Sequence, residues 1–353
     1  MPNWAESMSQ TFEYHLVDPA TWKEKGILEN VTAASISRDS DSDTCGSASF
    51  DIVTNNIGEE YIRPYLVTVQ NGYTNKYPLG TYLVQTVPSS FDGKISTISA
   101  DAYTPLIELK ENPPDLGYSL TKGTNIMEAA YLIIRDHTRA PVVKTESTAV
   151  LTADFVANTD DTWLSFVIDL VNVADYNLGL DDLGQIIFLP KQSLDAMQPI
   201  WTYADDENSI LEADITVDKD IYGIPNVVEV VYSTDTHTYV KRAVNDNPNS
   251  PISTVNRGRE IIKRITDPVL SGDLMPSLVQ EYADKQLKSL SNIGCQISYT
   301  HGFCPTRVGD CVLINYRRAG LNNVKAIITS QSISCESGCK VSETATFTSN
   351  LWR

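Results

Sequence analysis

The segments PLGTYLVQT (residues 78–86) and RVGDCVLIN (residues 307–315) follow one pattern. Each has a short polar lead, a Gly followed by Thr or Asp, and then an apolar run rich in Val, Leu, Ile and Tyr. Each is followed by a turn, Pro88-Ser89-Ser90-Phe91-Asp92-Gly93 in one case and Arg318-Ala319-Gly320-Leu321-Asn322-Asn323 in the other. Each then enters a further β-rich stretch, residues 94–102 and 324–333. Gly suits a tight strand entry because it takes positive φ without steric cost. Two such units separated by different sequence predict two similar small β-domains in one chain. Strand composition is generic, so two unrelated hairpins would also give this echo.

A length of 353 residues predicts two or three domains, and 42 % hydrophobic content supplies ordinary cores. The charge is lopsided, 45 acidic against 27 basic residues, net −18. That argues against sequence-independent nucleic-acid binding, which needs Lys and Arg on phosphates. It does not exclude a wall past which a polyanion moves without sticking. No apolar run is long enough to span a bilayer. The start, Met1-Pro2-Asn3-Trp4-Ala5-Glu6, has no basic region followed by an apolar one, so a chain made and folded in a cytoplasm is expected.

Residues 10–108 alternate apolar and polar side chains, as half-buried strands do. Turn clusters at 38–44, 54–58 and 70–77 divide them. The middle changes character. Asn125 with Glu128 is a capping-box pattern ahead of a stripe of Ile126, Ala129, Ala130, Ile133 and Ile134, a helix expected to end near Asp136 or His137. A second, mostly apolar helix begins near Asp161 and leads into a hairpin whose turn is Asp181-Asp182-Leu183-Gly184. From Ile210 strands return, with Val227-Val228-Glu229-Val230-Val231-Tyr232 as a buried type. Residues 245–251 read as an exposed loop. A helix from about Met275 to Leu290 is expected to be amphipathic, with Leu278, Tyr282, Ala283, Leu287 and Leu290 on its apolar face, and a strand meander over 296–348 closes the chain. The class is α+β: two similar small β-domains, 1–108 and 198–353 (the second with the long helix), flanking a helix-plus-hairpin insert, 109–197.

Motifs for chemistry are sparse. The four histidines, His15, His137, His237 and His301, form no HExxH, and there is no GxSxG, P-loop or GxGxxG. His301 and Cys304 are close in sequence, but a catalytic pair needs an orienting third group. Asp39, Asp41 and Asp43 resemble the start of a calcium loop, yet Thr44 and Phe50 stand where Gly and Glu are required. A solvated turn is the better reading. Asp181-Asp182 and Asp205-Asp206-Glu207 offer carboxylates of the kind glycosidases use, as any acidic surface does. Arg257-Gly258-Arg259 with Lys263-Arg264, and Arg317-Arg318, are the basic clusters; they serve either solubility or contacts with acidic neighbours. No catalytic residue, cofactor or metal is therefore assigned.

Of six cysteines, Cys45, Cys295, Cys304, Cys311, Cys335 and Cys339, five lie in the last 60 residues. Cys335 and Cys339 bracket a three-residue loop. Free thiols, disulfides formed late in an oxidising medium, and zinc all stay open, although Cys304-x6-Cys311 and Cys335-x3-Cys339 lack paired knuckle spacing.

Taken in order, these segments resemble a phage tail hub protein, the baseplate hub of contractile tails and its relatives in prophages and tailed secretion machines. The resemblance rests on Pro78-Leu79-Gly80-Thr81-Tyr82-Leu83-Val84 closing the first β-domain and on helix 162–174 leading into 178–189. It rests also on strand 227–232 with the loop and late helix after it, and on Pro305-Thr306-Arg307-Val308-Gly309-Asp310-Cys311-Val312. It covers nearly the whole chain; the cysteine-rich end departs from it. The resemblance implies a homotrimer in the virion tail, with two β-barrels per chain. Six barrels around a channel would join a sixfold tail tube to a threefold central spike and let the genome pass. Implied partners are the chain itself, a tail tube or distal tube protein, the spike, baseplate wedge proteins and a tape measure protein. No catalysis, specific nucleic-acid binding or membrane insertion is implied. Rival readings are a tail-tip peptidoglycan hydrolase and a receptor- or carbohydrate-binding module, the latter suggested by 17 Tyr and 5 Trp.

Overall fold

The computed structural model describes residues 2–54, 56–207, 209–233, 237–266, 268 and 276–352. By contact the chain forms two compact units: Met1–Ile215 with Ser298–Ala345 (unit 1), and Thr216–Ile297 with Thr346–Arg353 (unit 2). The expected division at 108 and 197 follows sequence segments instead, and both of those boundaries fall inside unit 1.

Strands make up 45 % of the described residues, so β structure dominates the expected α+β class. The first stretch holds β1 (Ser9–Val17), β2 (Glu24–Ile27), β3 (Val31–Asp39), β4 (Gly46–Val53), β5 (Tyr61–Gln70), β6 (Tyr73–Pro78), β7 (Tyr82–Thr86), β8 (Ser89–Phe91) and β9 (Ser96–Tyr103). The insert holds α1 (Ile107–Lys110), β10 (Ser119–Leu120), α2 (Ile126–His137), β11 (Phe155–Val156), α3 (Trp163–Val173), β12 (Tyr176–Leu180) and β13 (Ile186–Pro190). Then come β14 (Trp201–Ala204), β15 (Leu211–Lys219), β16 (Val227–Ser233), β17 (Thr238–Val244), α4 (Thr254–Arg257), β18 (Ile262–Thr266) and α5 (Pro276–Leu290). The chain ends with β19 (Asn292–Gly302), β20 (Cys311–Tyr316), β21 (Leu321–Ser334) and β22 (Lys340–Asn350).

The main sheet contains one wiring twice. A first set runs β3-β4-β9-β7-β5-β1 in space, and a second runs β15-β19-β22-β21-β20-β14. Matched position by position, β1, β3, β4, β5, β7 and β9 correspond to β14, β15, β19, β20, β21 and β22, so chain order is preserved throughout. Strands β2, β6 and β8 are additions to the first set. The end pairings differ: β1 is antiparallel to β5, whereas β14 is parallel to β20. The long β21 uses residues 321–327 against β20 and 330–334 against β3, which joins the sets into one sheet. Among the described residues neither set closes by pairing its end strands, so the hydrogen bonding is that of an open sheet.

This wiring relocates the echo. Residues 78–86 lead into β7 and residues 307–315 into β20, but β20 occupies the position of β5, and the counterpart of β7 is β21. Both entry glycines do take positive φ, +116° at Gly80 and +93° at Gly309. A likeness at matched positions lies instead in the turns before β9 and β22. There, Asp92-Gly93-Lys94-Ile95-Ser96 faces Ser337-Gly338-Cys339-Lys340-Val341-Ser342, with φ +95° at Gly93 and +92° at Gly338.

The two helices and the hairpin expected of residues 109–197 are present. Asn125 caps α2 by accepting from the Glu128 N–H at 3.0 Å, and α2 ends at His137. Thr162 and Ser165 form a reciprocal capping box on α3. Both helices bury their apolar sides, Ile126, Ala130 and Ile134 against Leu164, Val167 and Leu170, in a cluster that also takes Tyr61, Leu83 and Trp22. A second cluster mixes the two strand sets, with Phe50, Ile62 and Leu66 beside Phe303, Ile333 and Val341.

In unit 2, β16 pairs β17 antiparallel and β18 parallel. Helix α5 covers this sheet by burying Val279, Ala283 and Leu287 on Val228, Val230 and Ala243. Val279 takes the fully buried place expected for Leu278; the expected start at Met275 lies outside the described residues. Residues 245–251 are not simply an exposed loop. Asn245 and Ser250 are fully buried; Ser250 Oγ donates to the Leu351 carbonyl at 2.5 Å and Asn247 Nδ2 to the Trp352 carbonyl at 2.8 Å, fastening the C-terminal segment.

Candidate functional site

The hairpin turn of the insert is fastened to the first strand set through two carbonyls, chiefly that of Leu183. Leu183 O accepts from Thr81 Oγ1 at 2.8 Å, Trp22 Nε1 at 2.9 Å and the Arg63 guanidinium at 3.0 Å. Arg63, 4 % exposed within β5, also donates from Nε to Thr81 Oγ1 at 2.8 Å. Asp181 shapes the turn by accepting from the N–H groups of Leu183 and Gln185, and Gly80 N donates to Asp182 O at 3.0 Å. A Cβ on Gly184 would meet Thr81 Cβ at 2.7 Å, so the turn approaches the strand as closely as backbone allows.

Beside this fastening lies a cavity of 410 Å³. It gathers residues that are far apart in sequence: the β3–β4 turn with Asp39, Asp41 and Asp43, the hairpin turn with Asp181 and Asp182, and Arg307 to Gly309 before β20. Two of the three acidic clusters singled out in the sequence thus line one space, together with the entry glycines of both echo segments. Among the described residues, no group of three or more His, Cys, Asp or Glu is arranged to hold a metal. Asp182 forms an ion pair with Arg307; burial pushes its carboxyl above the ordinary value although Arg307 and Arg38 pull the other way. The third acidic cluster lies elsewhere, after β14, where Asp205 meets Arg318 Nε at 3.4 Å.

His301 and Cys304 do come together, with Sγ to Nδ1 at 3.9 Å, and Glu343 is the third group that sequence reasoning missed. Glu343 Oε1 lies 3.3 Å from His301 Nε2 and accepts from Thr306 at 2.8 Å and Gln331 at 2.5 Å. Its Oε2 accepts from Tyr299 at 2.6 Å and Tyr203 at 3.2 Å. His301, Cys304 and Glu343 are 1 %, 1 % and 2 % exposed and none lines the cavity, so this constellation acts as a core network. Burial alone would lower the His301 pKa, but hydrogen bonds with Cys304 and Glu343 outweigh it and raise it to about 10. Burial alone would raise Glu343, yet the bonds from His301, Tyr299 and Gln331 hold it below the usual carboxylate value.

The six cysteines are free thiols, all but Cys45 buried. Cys335 and Cys339 bracket the β21–β22 turn as expected; burial pushes Cys335 up to about 12 and Cys339 higher still. Of the basic clusters, Arg257, Arg264 and Arg318 bond within the chain. Arg257 donates to the carbonyls of Ile221 and Ile224, each at 2.8 Å, and Arg264 pairs with Glu229 at 2.7 Å. The charge itself is unevenly placed. Unit 2 contains ten acidic and ten basic residues, which leaves 35 against 17, and hence the whole −18, in unit 1. Among the described residues no helix is long and apolar enough to cross a membrane.

No protein-family model and no curated protein sequence matches the chain. Two solved structures share its fold over almost its whole length. The tail protein from Neisseria meningitidis MC58 is 14 % identical with a TM-score of 0.59, covering 97 % of this chain and 98 % of that one. The 43 kDa tail protein of prophage MuSo2 from Shewanella oneidensis is 12 % identical with a TM-score of 0.56, covering 95 % and 97 %. At such identities the likeness is one of fold.

Proposed function

We propose that the chain is a structural hub of a tailed-phage baseplate or tail tip. The carrying observation is the strand wiring repeated within one chain; the fold likeness to two tail proteins over almost all of its length supports it. In this reading the chain is a homotrimer in the virion, and each strand set curls into a barrel. The repeated blocks are 1–108 and 198–353, with 109–197 as the insert between them. Three chains then present six matched sets, the number needed to meet a sixfold tube on one side and a threefold spike on the other. Two matched but non-identical sets per chain provide the heterologous contacts that closed rings require. The assembled channel conducts the genome at ejection, and the acidic excess of unit 1 keeps a polyanion from adhering. Partners are the chain itself, a tail tube or distal tube protein, the central spike, wedge proteins and a tape measure protein, with no catalytic role. Light scattering on the chain mixed with its tube and spike proteins tests the trimer. A chain that binds both and stays monomeric overturns the reading.

A further inference from the structure

We propose that the 410 Å³ cavity of unit 1 is a docking pocket for a basic peptide segment of a partner protein, an arginine flanked by aliphatic residues. The floor is apolar: Ile168 from α3, Leu178 and Leu180 from β12, and Leu189 from β13, which is 42 % exposed. The walls are acidic. Five aspartates line the space against two arginines, and both arginines are engaged, Arg307 on Asp182 and Arg38 on Gln331 at 3.2 Å. The Arg307–Asp182 pair is an example within the chain of a guanidinium held at this site. Asn172 and Asn177 also line it, and among the described residues their side-chain amides have no hydrogen bond within the chain.

Charge complementarity selects the occupant. Asp43 already pairs with Lys110 and Asp182 with Arg307, but among the described residues Asp39, Asp41 and Asp181 have no ion pair, and a neutral or acidic segment would cover them without a counter-ion, which is costly once water is displaced. Arginine matches both surfaces: its methylene stem lies on apolar area while its planar fork reaches carboxylates in pairs. The volume stands at the low end of ligand pockets, about 300–1,000 Å³, and suits an arginine with one neighbouring side chain. The inference goes beyond the hub reading and does not depend on it, since a chain that failed to trimerise would still bind.

The test is fluorescence anisotropy on the full chain at low ionic strength, with labelled, capped Leu-Arg-Leu, Leu-Glu-Leu and Gly-Arg-Gly peptides. Leu-Arg-Leu is expected to bind saturably and about tenfold tighter than the other two. Replacing the exposed rim, Asp41→Asn with Asp43→Asn, should weaken it about tenfold. Removing the same charge outside the lining, Glu29→Gln with Glu111→Gln, should leave it unchanged. Equal weakening in both double variants, equal binding of Gly-Arg-Gly, or no saturable binding would each overturn the proposal.

Discussion

Arg63 is the one charged residue of β5, yet it is 4 % exposed and donates to Thr81 and Leu183. A buried guanidinium is tolerated only when its donors are used, and these bonds tie the insert to the strand sheet. Arg63→Ala is expected to cost about 1–3 kcal/mol, read as a lower urea midpoint, because the Leu183 carbonyl loses a donor. Arg63→Lys should recover little of it, since a point charge cannot reproduce the fork. The His301–Glu343 network adds a pH dependence. His301 is raised to about 10, so its contribution is complete below its unfolded value of about 6.5 and is lost as pH rises through about 10. Glu343 is lowered, so its contribution is present above its unfolded value of about 4.3 and is lost as pH falls. Glu343→Gln should flatten the acid limb of the urea midpoint against pH and bring the His301 pKa down in proton NMR. A wild-type His301 titrating at or below its ordinary value would contradict this. Local features were legible in the sequence, such as the Asn125 cap and positive φ at Gly80 and Gly309, because neighbouring residues decide them. Arg63 and Glu343 were not, since their partners lie far along the chain: Leu183 is 120 positions from Arg63, and Tyr203 is 140 from Glu343.

At the scale of elements, the hairpin turn lies close against the start of β7. Gly184 has φ +74° and faces Thr81 Cβ, so Gly184→Ala meets both backbone strain and a clash. It should destabilise unit 1 by about 1–3 kcal/mol, seen in thermal unfolding. Helix α5 rests on three fully buried side chains. Leu287→Ala should cost about 2–5 kcal/mol, and hydrogen exchange should locate the loss in α5, β16 and β17. The helices, the hairpin and the strand-rich flanks could be read from periodicity and caps. The strand pairing could not, because apolar runs after a glycine look alike whichever neighbours they have. That is why residues 78–86 and 307–315 echo each other without being counterparts. The duplication becomes visible only in sheet order, where six strands keep both their neighbours and their sequence order.

At the scale of the whole molecule, a chain with one wiring twice and its entire charge excess in one unit suits a part that is used several times around an axis. Net charge alone speaks to partners and passage, never to fold, and copy number is something one chain's sequence encodes only indirectly. The most direct test is an electron cryo-microscopy reconstruction of the assembled tail, with this chain located in it. The hub account predicts three copies at the distal end of the tube, presenting six similar β densities around the channel. Any other copy number, or a position away from the tube axis, would contradict it.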